Sequence, residues 1–185
     1  MIGDSRSLAG LLPALHCLAL RGAMQELPGD VSALIDGGLV VETRAGFMLT
    51  GEGRDTHAHL IAEENSTADP QALRDVYDRF LAINGDFKKA ASKWMSTSED
   101  DRFALLDSIG RYIDRVKPSL TRTAELLPRF GTYPARLTAA FEKAEGGEAD
   151  YVVSPRVDSV HSVWMEAHED YLQTLGISRE EEGSY

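Results

Sequence analysis

The stretch Val157 to Leu175, VDSVHSVWMEAHEDYLQTL, carries a patterned face that leaves a folding chain few options. Val157, Val160, His161, Trp164, His168, Tyr171 and Leu175 recur at spacings of three or four, which places them on one stripe of a single helix. Asp158, Ser162, Glu166, Glu169 and Gln173 fall on the flanks. A helix that turns an indole, a phenol and two imidazoles towards a core brings polar atoms with it, and each needs a partner once water is excluded. Such a face is either a well-satisfied core or the wall of a pocket. Both require other helices to cover it.

The preceding segments supply those helices. Asp69-Pro70 is a helix start, and Leu73, Val76, Tyr77, Phe80, Ile83, Asn84 and Phe87 trace a stripe that runs on towards Trp94. Ser96-Thr97-Ser98 separates it from a second helix, which opens on Glu99-Asp100-Asp101 at the positive end of its dipole and buries Phe103, Leu106, Ile109, Ile113 and Val116. Pro118 is expected to kink or break that helix, with Leu120, Ala124 and Leu127 carrying the pattern beyond it. A further helix starts near Tyr133-Pro134, buries Leu137, Ala140 and Phe141, and stops at Gly146-Gly147. Short connections between such helices predict an antiparallel bundle over residues 71–185.

Residues 1–66 read differently. Leu8, Leu11, Leu12, Leu15, Leu18 and Ala19 mark a helix that Gly22 ends, and Val31, Leu34 and Ile35 mark a short one that Gly37-Gly38 ends. Leu39-Val40-Val41 and Phe47-Met48-Leu49, around the tip Arg44-Ala45-Gly46, predict a hairpin, and Thr50 caps the helix after it. The expected fold is therefore mainly α: a winged-helix-like domain with a two-stranded wing over 1–66, the polar joint NSTADP, then the bundle.

Charge narrows the choice of partners. The 185-residue chain has 19 Lys and Arg against 30 Asp and Glu, a net charge of -11, where nucleic-acid binders ordinarily present a basic face. Between residues 24 and 50, Arg44 alone stands against Glu26, Asp30, Asp36 and Glu42, a balance of -3. The single Cys17 lies in an apolar run and reads as a small core residue. No leader pattern and no membrane-length apolar run stands out, which predicts a cytoplasmic protein without a membrane partner. Nothing in the sequence calls for a cofactor.

The order helix, helix, hairpin, helix, with GGLV before the hairpin and LTGEGR after it, resembles the winged helix of MarR-type transcription regulators. The chain departs from it between Ala23 and Pro28, where the bracing helix of a helix-turn-helix is missing. The later residues resemble a bacterial family in which such a module precedes a helical domain. The shared residues are Tyr77, Phe80, Leu81 and Asn84 in YDRFLAIN, Trp94, the Pro128, Arg129, Phe130, Tyr133, Arg136 and Leu137 of PRFGTYPARL, and the motif DSVHSVWMEAHED, with LGISREEE behind it. Met95 and Ser96-Thr97-Ser98 stand where that family has a Gln followed by an Asn-Asp-His stretch. The resemblance implies regulator ancestry, with DNA reading lost along with the deleted helix.

Candidate site residues follow from the bundle. Asn84, Trp94, Arg129, Tyr133, Arg136, Trp164 and Tyr77 are the expected ligand contacts, the arginines because a guanidinium in an apolar domain wants a carboxylate, either Glu166 or a ligand. The expected ligand is a small organic molecule, anionic or aromatic. His161 and His168, with Glu166, are the candidate acid-base groups of an alternative enzyme reading, and a working MarR-like regulator is a second alternative. Asp158 and His161 stand three apart, a spacing that can place two ligands on one helical face, but no metal is expected from it. A decayed reader helix leaves an apolar face, so the wing is expected to pack on the bundle or on a second copy of the chain.

Overall fold

A computed structural model describes residues 10–98 and 102–182, with the backbone alone at Phe103 and Arg179. Leu8, the Glu99-Asp100-Asp101 run and the Phe103 side chain lie outside the described residues. The chain divides into two compact units, residues 1–67 and 68–185. Both are mainly helical, and the first holds the two-stranded antiparallel hairpin. Among the described residues no helix is long and apolar enough to cross a membrane.

The first unit contains α1 (Leu12–Arg21), α2 (Val31–Asp36), β1 (Val40–Thr43), β2 (Gly46–Leu49) and α3 (Gly51–Asn65). Its small core joins Ala14, Leu15 and Leu18 of α1 to Leu34, Leu39, Val40 and Leu60. Cys17 sits on the flank of that α1 stripe and is half-buried. His16 on α1 and His57 on α3 are both buried, with Nδ1 of the first 3.0 Å from Nε2 of the second, a pairing that the sequence pattern did not suggest. No helix stands between Arg21 and Val31. The α2 helix begins three residues later than Pro28 because Asp30 caps it, accepting from Ala33 N at 3.1 Å.

The hairpin is closed by residues with backbone tasks. Val40 pairs with Leu49 and Thr43 with Gly46, leaving Arg44-Ala45 as the turn. Met24 crosses the outer side of β2 and exchanges two backbone hydrogen bonds with Phe47 (3.1 and 2.8 Å), which occupies part of the open strand edge. Gly46 permits the crossing, since a Cβ there would lie 2.4 Å from the Met24 carbonyl oxygen. At the other end, Thr50 Oγ1 accepts from Gly53 N at 2.9 Å and donates to the Gly38 carbonyl at 2.7 Å. Arg54 Nη1 donates to the Leu49 carbonyl at 3.1 Å. Gly53 itself is pressed on the backbone just before β1, where an added Cβ would meet the Leu39 carbonyl oxygen at 1.9 Å.

The second unit contains α4 (Pro70–Ser96), α5 (Arg102–Leu126), a 3-10 turn (Pro128–Gly131), α6 (Thr132–Glu145), α7 (Asp150–Val153), α8 (Val160–Leu175) and α9 (Arg179–Glu182). The first two run antiparallel: Ser119 Oγ, late in α5, donates to the Val76 carbonyl early in α4, while Arg102 at the start of α5 lies over the Trp94 ring at the end of α4. Helix α5 continues through Pro118 without a break. Pro118 is exposed on the outer side, so the hydrogen bond it forfeits is left to water, and the packing of fully buried Val116 and Leu120 outweighs the roughly 3 kcal/mol helix penalty. Gly110 lets α6 approach α5, its Cα facing the Phe141 ring tip where a Cβ would stand at 2.6 Å.

Helix α8 packs on α4, α6 and α7. It starts at Val160 rather than Val157, because Ser159 caps it by accepting from Ser162 N. Val157 and Asp158 therefore precede the helix. Val160, Val163, Trp164, Ala167 and Tyr171 are fully buried, and the Trp164 ring lies stacked on Phe87 with centroids 3.9 Å apart. Gly176, at φ 63°, ends α8 in a left-handed turn, with Ile177 N bonded to the Leu172 carbonyl.

The two glycines that open α3 separate packing from propensity. Gly53→Ala is expected to destabilise the first unit by about 3 kcal/mol through the clash with the Leu39 carbonyl. Gly51→Ala, which meets nothing within 4 Å, is expected to be neutral or stabilising by up to about 1 kcal/mol. Hydrogen exchange of the hairpin amides in rising urea checks both.

Candidate functional site

The buried polar side chains of α8, Trp164, His168, Asp170 and Tyr171, each meet a partner from another segment. Trp164 Nε1 donates to Asn84 Oδ1 on α4 at 3.0 Å, so the one amide on the α4 stripe is the acceptor that the buried indole needs. Both oxygens of the fully buried Asp170 are engaged: Arg129 Nε donates to Oδ1 and the Tyr133 hydroxyl to Oδ2, each at 3.0 Å, with Arg129 also reaching Thr174 Oγ1. Arg136 makes two forked contacts, Nε and Nη2 to Asp158 at 2.9 and 2.7 Å and Nη1 and Nη2 to Glu166 at 2.7 and 2.9 Å.

Both guanidiniums expected to anchor a ligand are thus held by carboxylates of the chain itself. Burial works against the Arg136 charge, and the hydrogen bonds it donates to Glu166 and then to Asp158 outweigh it, holding its pKa above the ordinary value. Asp158 turns towards Arg136 from outside the helix, so its three-residue spacing to His161 does not make a helical ligand pair. Among the described residues no group of three His, Cys, Asp or Glu is placed to hold a metal ion.

His168 and Tyr77 form a different arrangement. The Tyr77 hydroxyl donates to Glu182 Oε1 at 2.6 Å, and His168 Nε2 lies 2.7 Å from that same oxygen. The carboxylate only accepts, so it is the imidazole nitrogen that carries the proton between them. The His168 and Glu182 side chains are 7% and 6% exposed. Burial first, then the Glu182 hydrogen bond and charge, raise the Tyr77 pKa and keep the phenol a donor. Glu182 reaches this position on α9, whose start is a capping box: Ser178 Oγ accepts from Glu181 N, and Glu181 Oε2 accepts from Ser178 N. Beside the cluster is an open cleft of about 400 Å³ lined by Arg74, Tyr77, Leu81, Ile177, Glu181 and Glu182.

The remaining two candidates stand apart. His161, half-buried and close to the Phe87 ring, faces a smaller apolar cavity of about 150 Å³ with Ala91, Met95, Val153 and Met165, and burial lowers its pKa. Trp94 lies under Arg102, roughly 25 Å along α4 from Tyr77. The ten sequence candidates therefore occupy six places: Tyr77 with His168, Asn84 with Trp164, Arg129 with Tyr133, Arg136 with Glu166, and His161 and Trp94 each in a setting of its own. Glu182, Asp170 and Arg74 were not among them. A Ser-x-x-Glu box just past Gly176 was the readable sign that LGISREEE forms another helix and so carries Glu182 to a new face.

No protein-family model, curated protein or solved structure matches the chain.

Two measurements test these networks. Removing the Asp170 carboxylate leaves Arg129 buried beside a vacated partner, so Asp170→Ala is expected to cost about 3–5 kcal/mol, against about 1 kcal/mol for the half-exposed Asp158→Ala, by urea denaturation. The Tyr171 phenol is pushed up to about 12, by burial, against the opposing hydrogen bonds from Thr123 and Ser119. Its folded pKa lies above the unfolded value near 10, so this contribution is complete below pH 10 and falls by about 2–3 kcal/mol as pH rises towards 12. A 295 nm titration is expected to show this phenol ionising late, and Tyr171→Phe is expected to flatten the loss of stability between pH 10 and 12.

Proposed function

We propose that this chain is a small-molecule-binding protein of bacterial, MarR-type winged-helix ancestry, working in the cytoplasm, with its ligand site in the bundle cleft at Tyr77 and with DNA reading lost. The observation that carries the binding site is the convergence of Tyr77 and His168 on one buried carboxylate oxygen at the wall of an open cleft. The two residues come from α4 and α8, long helices packed on each other, so the donors are held in place before anything enters. Arg74 adds a cation to the same cleft and Leu81 and Ile177 an apolar wall, the mixture that fits a small organic anion. The arrangement favours recognition over turnover, since His168 is buried and its Nε2 is already bound to an acceptor.

The loss of DNA reading is supported by the missing brace before α2 and by α2 itself. That helix is six residues long, carries Asp30 at its cap and exposed Asp36 at its end, and would meet phosphates with like charge. Val41 and Met48, cross-strand partners on the hairpin, are exposed and give a second copy an apolar surface to cover.

Native mass spectrometry of the wild-type chain after incubation with a bacterial metabolite pool tests the reading and reports copy number in the same spectrum. The expected result is a retained compound that Tyr77→Phe binds at least several-fold more weakly. Retention of nothing by the folded wild-type chain would remove the ligand-binding reading, and a salt-sensitive, sequence-specific gel shift would restore the regulator.

A further inference from the structure

The buried carboxylates of the bundle are not held alike. Asp170 and Glu166 belong to α8 and are gripped by Arg129 and Arg136, so their charges are neutralised within the scaffold. Glu182 instead arrives on a four-residue helix, beyond the reversal at Gly176, and meets a phenol and an imidazole. The receiving half of this contact is built into two long helices, while the occupying half rides on a short segment anchored by Ile177 and the Ser178–Glu181 box. The cleft beside it already holds Arg74, whose present ion pair with Asp78 is half-exposed on both sides and weak for that reason.

We infer that Tyr77 and His168 form a carboxylate-binding site whose present occupant is the chain's own Glu182, and that an organic carboxylate enters the cleft by displacing α9. This rests on the reading of the Tyr77 cleft as a ligand site and adds the ligand class and the internal competitor. The two donors that hold Glu182 Oε1 would pass to the incoming carboxylate, Arg74 would leave Asp78 for its second oxygen, and the body of the ligand would lie along Leu81 where Ile177 now packs. Exchange of one carboxylate for another conserves charge in the site, whereas a neutral molecule would leave both donors without an anion. Affinity in the wild-type chain is reduced by the fraction of time that Glu182 holds the site.

The test uses the full chain with acetate and benzoate as probes and acetamide and benzamide as their neutral counterparts, read by the His168 ring resonances and by hydrogen exchange of residues 177–182. Removing the competitor in Glu182→Ala is expected to tighten binding of at least one of the two carboxylates ten-fold or more over wild type, with neither amide bound. In wild type, a saturating carboxylate is expected to raise exchange across residues 177–182 several-fold. Adding Tyr77→Phe to Glu182→Ala should lower carboxylate affinity several-fold. Should Glu182→Ala not fold, Glu182→Gln, which keeps the shape and loses the charge, is expected to show the same gain in smaller measure. The inference is overturned if neither carboxylate gains affinity in the Glu182 variants, or if the amides bind as well. The underlying reading fails in a different way: wild type retains no metabolite although Glu182→Ala takes up acetate. Retention of a neutral compound at Tyr77 would keep that reading and discard the carboxylate site.

Discussion

A buried helix that carries hydrogen-bonding groups must be met by partners from other segments, and this requirement on α8 decides much of how the second unit is arranged. The Trp164 indole needs an acceptor and fixes where Asn84 lies on α4. Asp170 needs donors and draws in the 3-10 turn through Arg129 and the start of α6 through Tyr133. Glu166 joins Asp158 around Arg136 and so ties the approach to α8 onto α6. Apolar burial supplies the larger share of the driving force, roughly 1.5–3 kcal/mol for each large side chain, but it is indifferent to register. The polar pairs are not, because an unpaired buried group costs about as much as a large side chain contributes.

The same requirement explains which parts of the fold were legible in the sequence. Periodicity marked the apolar face of each long helix, and Trp164, Phe80 and Phe87 lie together at the centre of the bundle as their stripes imply. Boundaries followed capping chemistry instead: Ser159 sets the start of α8 three residues beyond the first apolar position of its stripe, Val157, while Asp30 sets the start of α2 at Val31. Pro118 does not break its helix, because the packing on the opposite side outweighs its intrinsic penalty, and a single helix pattern does not reveal that packing.

The site was legible by composition and not by pairing. Several side chains named from the sequence take part in the buried polar pairs, yet nothing in their spacing tells that Arg136 is engaged by Asp158 and Glu166 while His168 turns to Glu182. Partners separated by many residues are set by tertiary geometry, and the separations here run from 14 residues for His168 and Glu182 to 105 for Tyr77 and Glu182. Local signals can reveal a partner only where they place an element, as the Ser178–Glu181 box does for α9.

In the first unit the run from GGLV to LTGEGR is accounted for by structural tasks alone. In the run from Gly38 to Arg54, the left-handed Gly38 turns the chain into the hairpin, Thr50 links the Gly38 carbonyl to the start of α3, Gly53 lets that helix touch the Leu39 carbonyl, and Arg54 caps the end of β2. Each task serves the closure of a hairpin onto a helix, and none requires a phosphate or a base edge. All of them help to bury Leu39 and Val40. GGLV followed by LTGEGR therefore reports how the hairpin is closed onto α3, and the short α2 before it adds Asp30 at its cap and an exposed Asp36 at its end, charges that would repel a phosphate.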